Sequence, residues 1–348
     1  MAAAMARAMV TAIECAEFGP IENLRVVERE SVPLAAGQVR LAVSASGVNF
    51  VDGLFVEGRY QIKPPTPFVP GGEVVGRITE LGADVADGVD GLAVGQRVFA
   101  NLGLGGFASE VVVSPRQLVA IPDSLSDGQA ATFMQSYLTG WYALRVRAGA
   151  SAGDTMLVLG AGSGVGLAAV DIGSALGLRV IAAASTPEKR ALAESRGAMA
   201  TIDNSTLDAA SIKDAAKAFA ASFDDRADRG GVDLIYDPVG GDVGEVALRA
   251  LGEDGQYLVI GFVAGIPKLP ANQVLLRNRR ITGVDWGAWV GRNQDANRAL
   301  LAEVVEQIAV GDLDPVEPVA YPLREAARAL RDLADRKVAG KVALVPDR

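Results

Sequence analysis

The sequence predicts an α/β protein in which a doubly wound parallel sheet is inserted into a mostly β, barrel-like unit. Three features point there. Residues 9–130 break into short β segments punctuated by glycine and proline, and from Thr155 onward apolar runs too short for helices alternate with helical stretches. Beyond about residue 285 the chain returns to helices and a last strand. At 348 residues it is long enough for two domains, each with its own core. The predicted boundaries are 1–130 and 285–348 for the β unit, and 131–284 for the parallel sheet.

In the first unit VRLAVSASGV, EVVGRITELG, GQRVFA and ASEVVVSP read as strands, and their spacing and turn residues suit a mostly antiparallel barrel. Around Gln129 the apolar spacing becomes helical, as in AATFMQSYLTGWYALRV. TMLVLG (155–160), LRVIAAAS (178–185), GVDLIYD (231–237), GQYLVIG (255–261) and RRITGVDWG (279–287) read as strands, with GLAAVDIGSALG and PEKRALAESRGA as helices. Continuously apolar strands are those buried on both faces, so this sheet is parallel and covered by helices. A helix near Gln294–Val310, a helix in LREAARALRDLADR and the strand KVALV complete the chain.

Composition removes several kinds of chemistry. With no histidine and one cysteine, Cys15, there is no intrachain disulfide, no thiolate zinc cluster, no serine–histidine triad and no histidine acid–base catalyst. Only oxygen ligands remain, and no oxygen motif is clustered, so no metal is expected. A formal charge of -9 argues against nucleic acid as a partner. No segment has the roughly 20 uninterrupted apolar residues of a spanning helix. Neither is there a leader pattern in MAAAMARAMV, so cytoplasmic residence is the default expectation, with Met5 or Met9 as alternative starts.

The strongest chemical signal is LVLGAGSGVGLAAV, a strand that ends in glycines and runs straight into a helix. Backbone N–H groups and a helix N-terminus then face one point, which suits a pyrophosphate. The spacing is not the strict G-x-G-x-x-G; it reads Ala161, Gly162, Ser163, Gly164, Val165, Gly166. Gly162 and Gly164 allow close backbone approach, and Gly166 lets the helix pack on its strand. Dinucleotide sites that prefer NAD carry an acid at the end of the second strand. Here that strand ends Ala182–Ala183–Ala184–Ser185, followed by Lys189 and Arg190. A hydroxyl and two cations suit the 2′-phosphate of NADPH. Thr186 and Pro187 also read as a helix cap and first turn, and both readings can hold together.

With GVNFVDGLFVEGRY, PFVPGGEVVG, YLTGWYAL, GAGSGVGLAAV, DPVGG and GKVALV in this order, nearly the whole chain resembles the medium-chain dehydrogenase/reductase superfamily. Within it, the chain is similar to the zinc-free quinone oxidoreductases related to zeta-crystallin. The resemblance implies a Rossmann-type domain inserted in a GroES-like catalytic domain, with the active site in the cleft between. Zinc-dependent alcohol dehydrogenases of the superfamily take one ligand from a Cys-His-x-Asp stretch and one from Gly-His-Glu. This chain has Asn49-Phe50-Val51-Asp52 and Gly71-Gly72-Glu73 instead, and the third ligand position falls near Gln135. The four-cysteine lobe for structural zinc is missing too.

Without a Lewis acid to lower an alcohol's pKa, the implied reaction is hydride transfer from NADPH to a quinone or an α,β-unsaturated carbonyl (enone) acceptor. By the same resemblance Asn49 and Tyr60 are the catalytic residues, both placed to stabilise negative charge growing on the acceptor oxygen. Asp52 is expected to hold neighbouring loops. Cofactor contacts are implied for Thr139, for Val239 after one strand, for Gly261 and Phe262 after the next, and for Lys341. Trp286 and Trp289, in DWGAW, read either as walls of the substrate cleft or as packing, the commoner role of aromatics after a strand. A homodimer paired along Arg279–Val284 is also implied. The rivals are an enoyl-thioester reductase of the same fold and a non-catalytic NADPH-binding protein.

Overall fold

A computed structural model of the protein describes residues 8–85, 91–205, 209–223 and 228–347; Met5 lies outside them. The chain forms two units, one that ends at Met134 and resumes at Val316, and one spanning Gln135–Pro315.

The first unit is organised by Val39–Val48, whose alternating residues Val39, Leu41 and Val43 are buried with Val74, Ile78 and Val98. Burial of each such side chain stabilises by about 1.5–3 kcal/mol. Among the described residues it belongs to a seven-stranded sheet ordered Val319–Pro322, Val342–Val345, Val39–Val48, Glu73–Leu81, Arg97–Asn101 and Leu118–Ala120, with Glu110–Val113 also on Val39–Val48. Two antiparallel pairings matter for function. Gly47 lies opposite Glu73, and Val48 lies opposite Val342. The end of the central strand therefore meets the start of both neighbours. A second apolar cluster, including Ile13, Val48, Phe107 and Leu344, packs under the amphipathic helix Ala326–Ala334.

Among the described residues the second unit has a six-stranded, all-parallel sheet in the spatial order Ala200–Asp203, Arg179–Ala184, Thr155–Leu159, Val232–Asp237, Leu251–Val259, Arg280–Gly283. Numbered along the chain this is 3-2-1-4-5-6, the arrangement of dinucleotide-binding sheets, whose strands start again from the middle at Thr155–Leu159. Helices Gly164–Ala175, Pro187–Glu194, Ala209–Ala221 and Gly241–Ala247 lie between successive strands. The fold is α/β, a Rossmann-type sheet with a GroES-like unit, as the sequence predicts.

Three details differ from the sequence reading. The strand Ala200–Asp203 gives no apolar run, because it sits at the sheet edge with only Ile202 buried. RRITGVDWG is a strand only to Gly283; Asp285 then caps the helix Trp286–Arg292, accepting from Ala288 N at 3.0 Å. The second unit also runs on past residue 284 to Pro315. Side chains hold that stretch there: Trp141 Nε1 donates to Glu303 at 2.9 Å, and Asp314 N donates to Asp171 at 2.9 Å. Trp286 donates to Asn297 and Trp289 stacks on Tyr142, so both tryptophans pack.

Candidate functional site

In the second unit the strand Thr155–Leu159 ends at Gly160, whose φ of +58° turns the chain into the helix Gly164–Ala175. Ser163 caps that helix: its Oγ accepts from Gly166 N at 3.2 Å and donates to Gly160 O at 2.8 Å. Gly166 has no room for a side chain, since a Cβ would stand 2.3 Å from Gly160 O. That contact packs the helix start onto the strand and aims its free N–H groups outward from the turn. Ala161 is buried and bonds the neighbouring strand through Ala183 O, while Gly164 and Val165 open the helix half-buried.

Gly162 has a second reason to be glycine. A Cβ there would lie 2.6 Å from both Cβ and Cγ of Lys189, so the lysine stem lies directly over the turn. Lys189 is held in the first turn of Pro187–Glu194, where its N–H bonds the capping Thr186 Oγ1 at 3.3 Å. The cap and the cation thus belong to one structure. Ser185 is exposed beside them. Arg190 is placed differently: its Nη1 donates to Ala184 O and pairs with Asp203, both at 3.1 Å.

Parallel strands bring their C-terminal ends to one edge, so the residues following Asp237 and Val259 share that edge with the glycine turn. The DPVGG segment is shaped by Asp237, which the sequence reading passes over. Its Oδ1 accepts from Val239 N at 2.7 Å and Gly240 N at 2.9 Å, and its Oδ2 accepts from Tyr257. An aspartate bonding the backbone two and three residues on is an ordinary turn device, and the D-P-x-G-G pattern is its signal in the sequence. Burial raises the Asp237 carboxyl above its ordinary range, while these donors oppose the rise. Gly261 is half-buried, and Phe262 is 49% exposed, too open for a core residue. Thr139 is half-buried in the helix Met134–Trp141, which Tyr137 ties to Asp171 through a 2.6 Å bond.

The first unit gathers a buried polar cluster where three strands meet. Asn49 comes just after the central strand, Glu73 opens one neighbour, and Lys341 precedes the other. Asn49 Nδ2 donates to Glu73 Oε1 at 2.7 Å, and Lys341 Nζ donates to Asn49 Oδ1 at 2.8 Å. All three residues are at least nine-tenths buried. Gly47 makes the approach possible, because a Cβ there would meet Ala131 O at 2.2 Å and Glu73 Cγ at 2.9 Å. Asn49 also starts the helix Phe50–Val56, and Asp52 caps it by accepting from Asn49 N at 2.7 Å. Tyr60, past this helix, is half-buried with its ring 4.6 Å from that of Phe55.

Burial lowers the Lys341 ammonium below its ordinary value, against the pull of Glu73 and Asp52. It pushes the Asp52 carboxyl from 3.8 up to about 7, with the charge of Glu73 adding and the Asn49 and Gly71 N–H groups opposing. A raised folded pKa means the native protein keeps a proton the unfolded chain releases. This contribution to stability is fully present below the unfolded pKa and is lost as pH rises through about 7. Urea unfolding from about pH 5 to about pH 8 is therefore expected to fall in free energy more steeply for the native sequence than for Asp52→Asn. Equal slopes would mean that Asp52 does not titrate in this window.

Residues 35–123 match the family model described as alcohol dehydrogenase GroES-like domain, and residues 164–306 match that described as zinc-binding dehydrogenase. The chain is 35% identical to a quinone oxidoreductase-like protein 2 homolog of Nematostella vectensis, over 96% of this chain and 88% of that one. It is 31% identical to a phenolphthiocerol/phthiocerol polyketide synthase of Mycobacterium tuberculosis, over 94% of this chain but 14% of that much longer one. Among solved structures, the quinone oxidoreductase of Thermus thermophilus, also determined with NADPH, superposes with a TM-score of 0.78 at 32% identity, over 96% of this chain and 99% of that one.

The residues present do not fit the zinc that one of these descriptions implies. An asparagine amide, a glycine and a glutamine at positions 49, 72 and 135 replace the nitrogen and sulfur donors zinc prefers. Among the described residues, no three histidine, cysteine, aspartate or glutamate side chains gather in a way that would hold a metal ion. Extended similarity on both units, with the strand order and the glycine turn in place, assigns the chain to the medium-chain dehydrogenase/reductase superfamily, in its zeta-crystallin-like quinone oxidoreductase family.

Proposed function

We propose that the protein is a metal-independent, NADPH-dependent reductase acting on a quinone or an α,β-unsaturated carbonyl compound. The observation that carries this reading is Asn49. At a position where zinc-dependent relatives have a metal ligand, it presents an amide anchored by Glu73 and Lys341. Such a group donates a hydrogen bond to an oxyanion but does not activate an alcohol, so the favoured acceptor is already electrophilic.

Bound NADPH supplies the hydride. The Gly162–Gly166 turn receives the pyrophosphate, and Lys189 with Ser185 holds the 2′-phosphate, while Arg190 braces that rim through Asp203. Thr139, Val239, Gly261 and Phe262 are assigned to the rest of the cofactor. The second Nδ2–H of Asn49 has no protein acceptor among the described residues, and in this reading it meets the charge growing on the acceptor oxygen. Tyr60, whose hydroxyl has no protein partner among the described residues, donates the proton. The partner in solution is a second copy, paired along the edge strand Arg280–Gly283, and the place of action is the cytoplasm.

The match to a polyketide synthase supports a second reading, reduction of an enoyl thioester. Enone and enoyl-thioester reduction both place hydride on a β-carbon, and they differ in the group attached to the carbonyl. Purified protein assayed for NADPH oxidation with quinones, simple enones and 2-enoyl thioesters separates them. Turnover of quinones or simple enones is expected. Turnover of thioesters alone favours the second reading, and tight NADPH binding without turnover of any acceptor contradicts both.

A further inference from the structure

Asn49 is wired more tightly than a residue that merely offers a donor requires. Lysine has only donors and a carboxylate only accepts, so the 2.8 Å contact from Lys341 fixes which amide atom is oxygen, and the 2.7 Å contact to Glu73 fixes which is nitrogen. Flipping the amide would set N–H groups against an ammonium and a carbonyl against a carboxylate. The orientation is therefore locked from both ends by charged groups. A cation on Oδ1 draws charge through the amide and strengthens the remaining N–H as a donor, while the carboxylate on the other N–H fixes the direction in which that donor points. The cluster is at least nine-tenths buried, where such polarisation is not screened by water. Asp52 is separately engaged with the Asn49 backbone N–H, which leaves Glu73 as the carboxylate on the amide.

We propose that Lys341 and Glu73 are positioning residues that orient the Asn49 amide, Lys341 also polarising it, so that its free N–H is the oxyanion donor of the reaction. The inference rests on the reductase reading and departs from it in one respect: Lys341 acts through Asn49 and not by contact with the cofactor.

The test compares Lys341→Met, which keeps an apolar stem and removes the charge, with Lys341→Arg, Glu73→Gln and Asn49→Ala in the full-length protein. Lys341→Met is expected to lower kcat about 10- to 100-fold, less than loss of the donor itself, while the NADPH Kd by fluorescence titration changes less than about threefold. Lys341→Arg should recover part of the loss. Placed on Asn49→Ala, Lys341→Met should cost little more, because residues acting as one unit are not additive. The Asn49 side-chain N–H resonances, read by nitrogen-15 NMR, should shift in Lys341→Met and lose protection from exchange. An unchanged kcat, an equal loss in the Asn49→Ala background, or a weakened NADPH Kd with kcat intact would overturn the proposal. Should Lys341→Met fail to fold, Glu73→Gln carries the same kcat and NMR expectations. If the native protein reduced no acceptor, the reductase reading would fall by itself. Unmoved Asn49 resonances would then still refute the wiring, and shifted ones would uphold it.

Discussion

Reversing the charge at Lys189 is expected to weaken NADPH binding by about a hundredfold or more while NADH affinity changes far less. The stem of Lys189 lies over Gly162, in the turn assigned to the pyrophosphate. Charge-assisted hydrogen bonds contribute about 1.5–3 kcal/mol each, and Lys189→Glu replaces one with repulsion; about 2.7 kcal/mol is already a hundredfold in Kd. Arg190→Gln should matter less, under about tenfold, because that guanidinium is already bonded to Ala184 O and Asp203. Fluorescence titrations with both cofactors read the ratio directly. An unchanged NADPH-to-NADH preference in Lys189→Glu would show that the 2′-phosphate is held elsewhere.

Removing the Asn49 amide should produce the largest loss of activity of any single change in the first unit. Loss of one oxyanion donor typically costs about 10²–10³ in kcat, and Asn49→Ala is expected in that range with NADPH affinity nearly unchanged. The helix start should survive, because its cap comes from Asp52 and the Asn49 backbone N–H, which the substitution leaves in place. Glu73 and Lys341 would be left without the amide between them, so circular dichroism and thermal melting should accompany the kinetics. A folded Asn49→Ala protein with kcat within about threefold of the native value would remove Asn49 from the chemistry.

The sheet of the second unit is legible in the sequence because its inner strands are apolar on both faces: TMLVLG, LRVIAAAS and GVDLIYD all lie between neighbours. Ala200–Asp203 is not, since an edge strand with one buried residue has no such run. The glycine turn is legible for a similar reason, as four alternating glycines at a strand–helix junction are a local pattern. Why Gly162 is glycine is not, because the atoms that crowd it belong to Lys189, one helix and one strand later. Arg190 reads as a phosphate ligand because, with Ser185 and Lys189, it follows a second strand that ends without an acid. Its carboxylate partner, Asp203, comes from a strand that the apolar pattern does not reveal.

The polar cluster shows the same limit more sharply. In the sequence Asn49 and Lys341 stand as separate residues of a resemblance, and Glu73 as part of a metal motif without its histidine. Their bonds join positions 24 and 292 residues apart, and no local periodicity encodes such a meeting. The meeting comes instead from antiparallel pairing, which sets the end of Val39–Val48 against the beginnings of Glu73–Leu81 and Val342–Val345. Exposure is equally hidden: Phe262, which composition suits to a core, stands open at the strand edge.

In the proposed reaction an anchored amide, and not a Lewis acid, serves the acceptor oxygen. The most direct test of that role is turnover measured alongside metal content in one preparation. Protein dialysed against a strong chelator, with zinc far below one atom per chain, should oxidise NADPH with a quinone or enone at the rate of the undialysed enzyme. Loss of that activity on chelation with recovery on adding zinc, or a preference for oxidising simple alcohols, would contradict it.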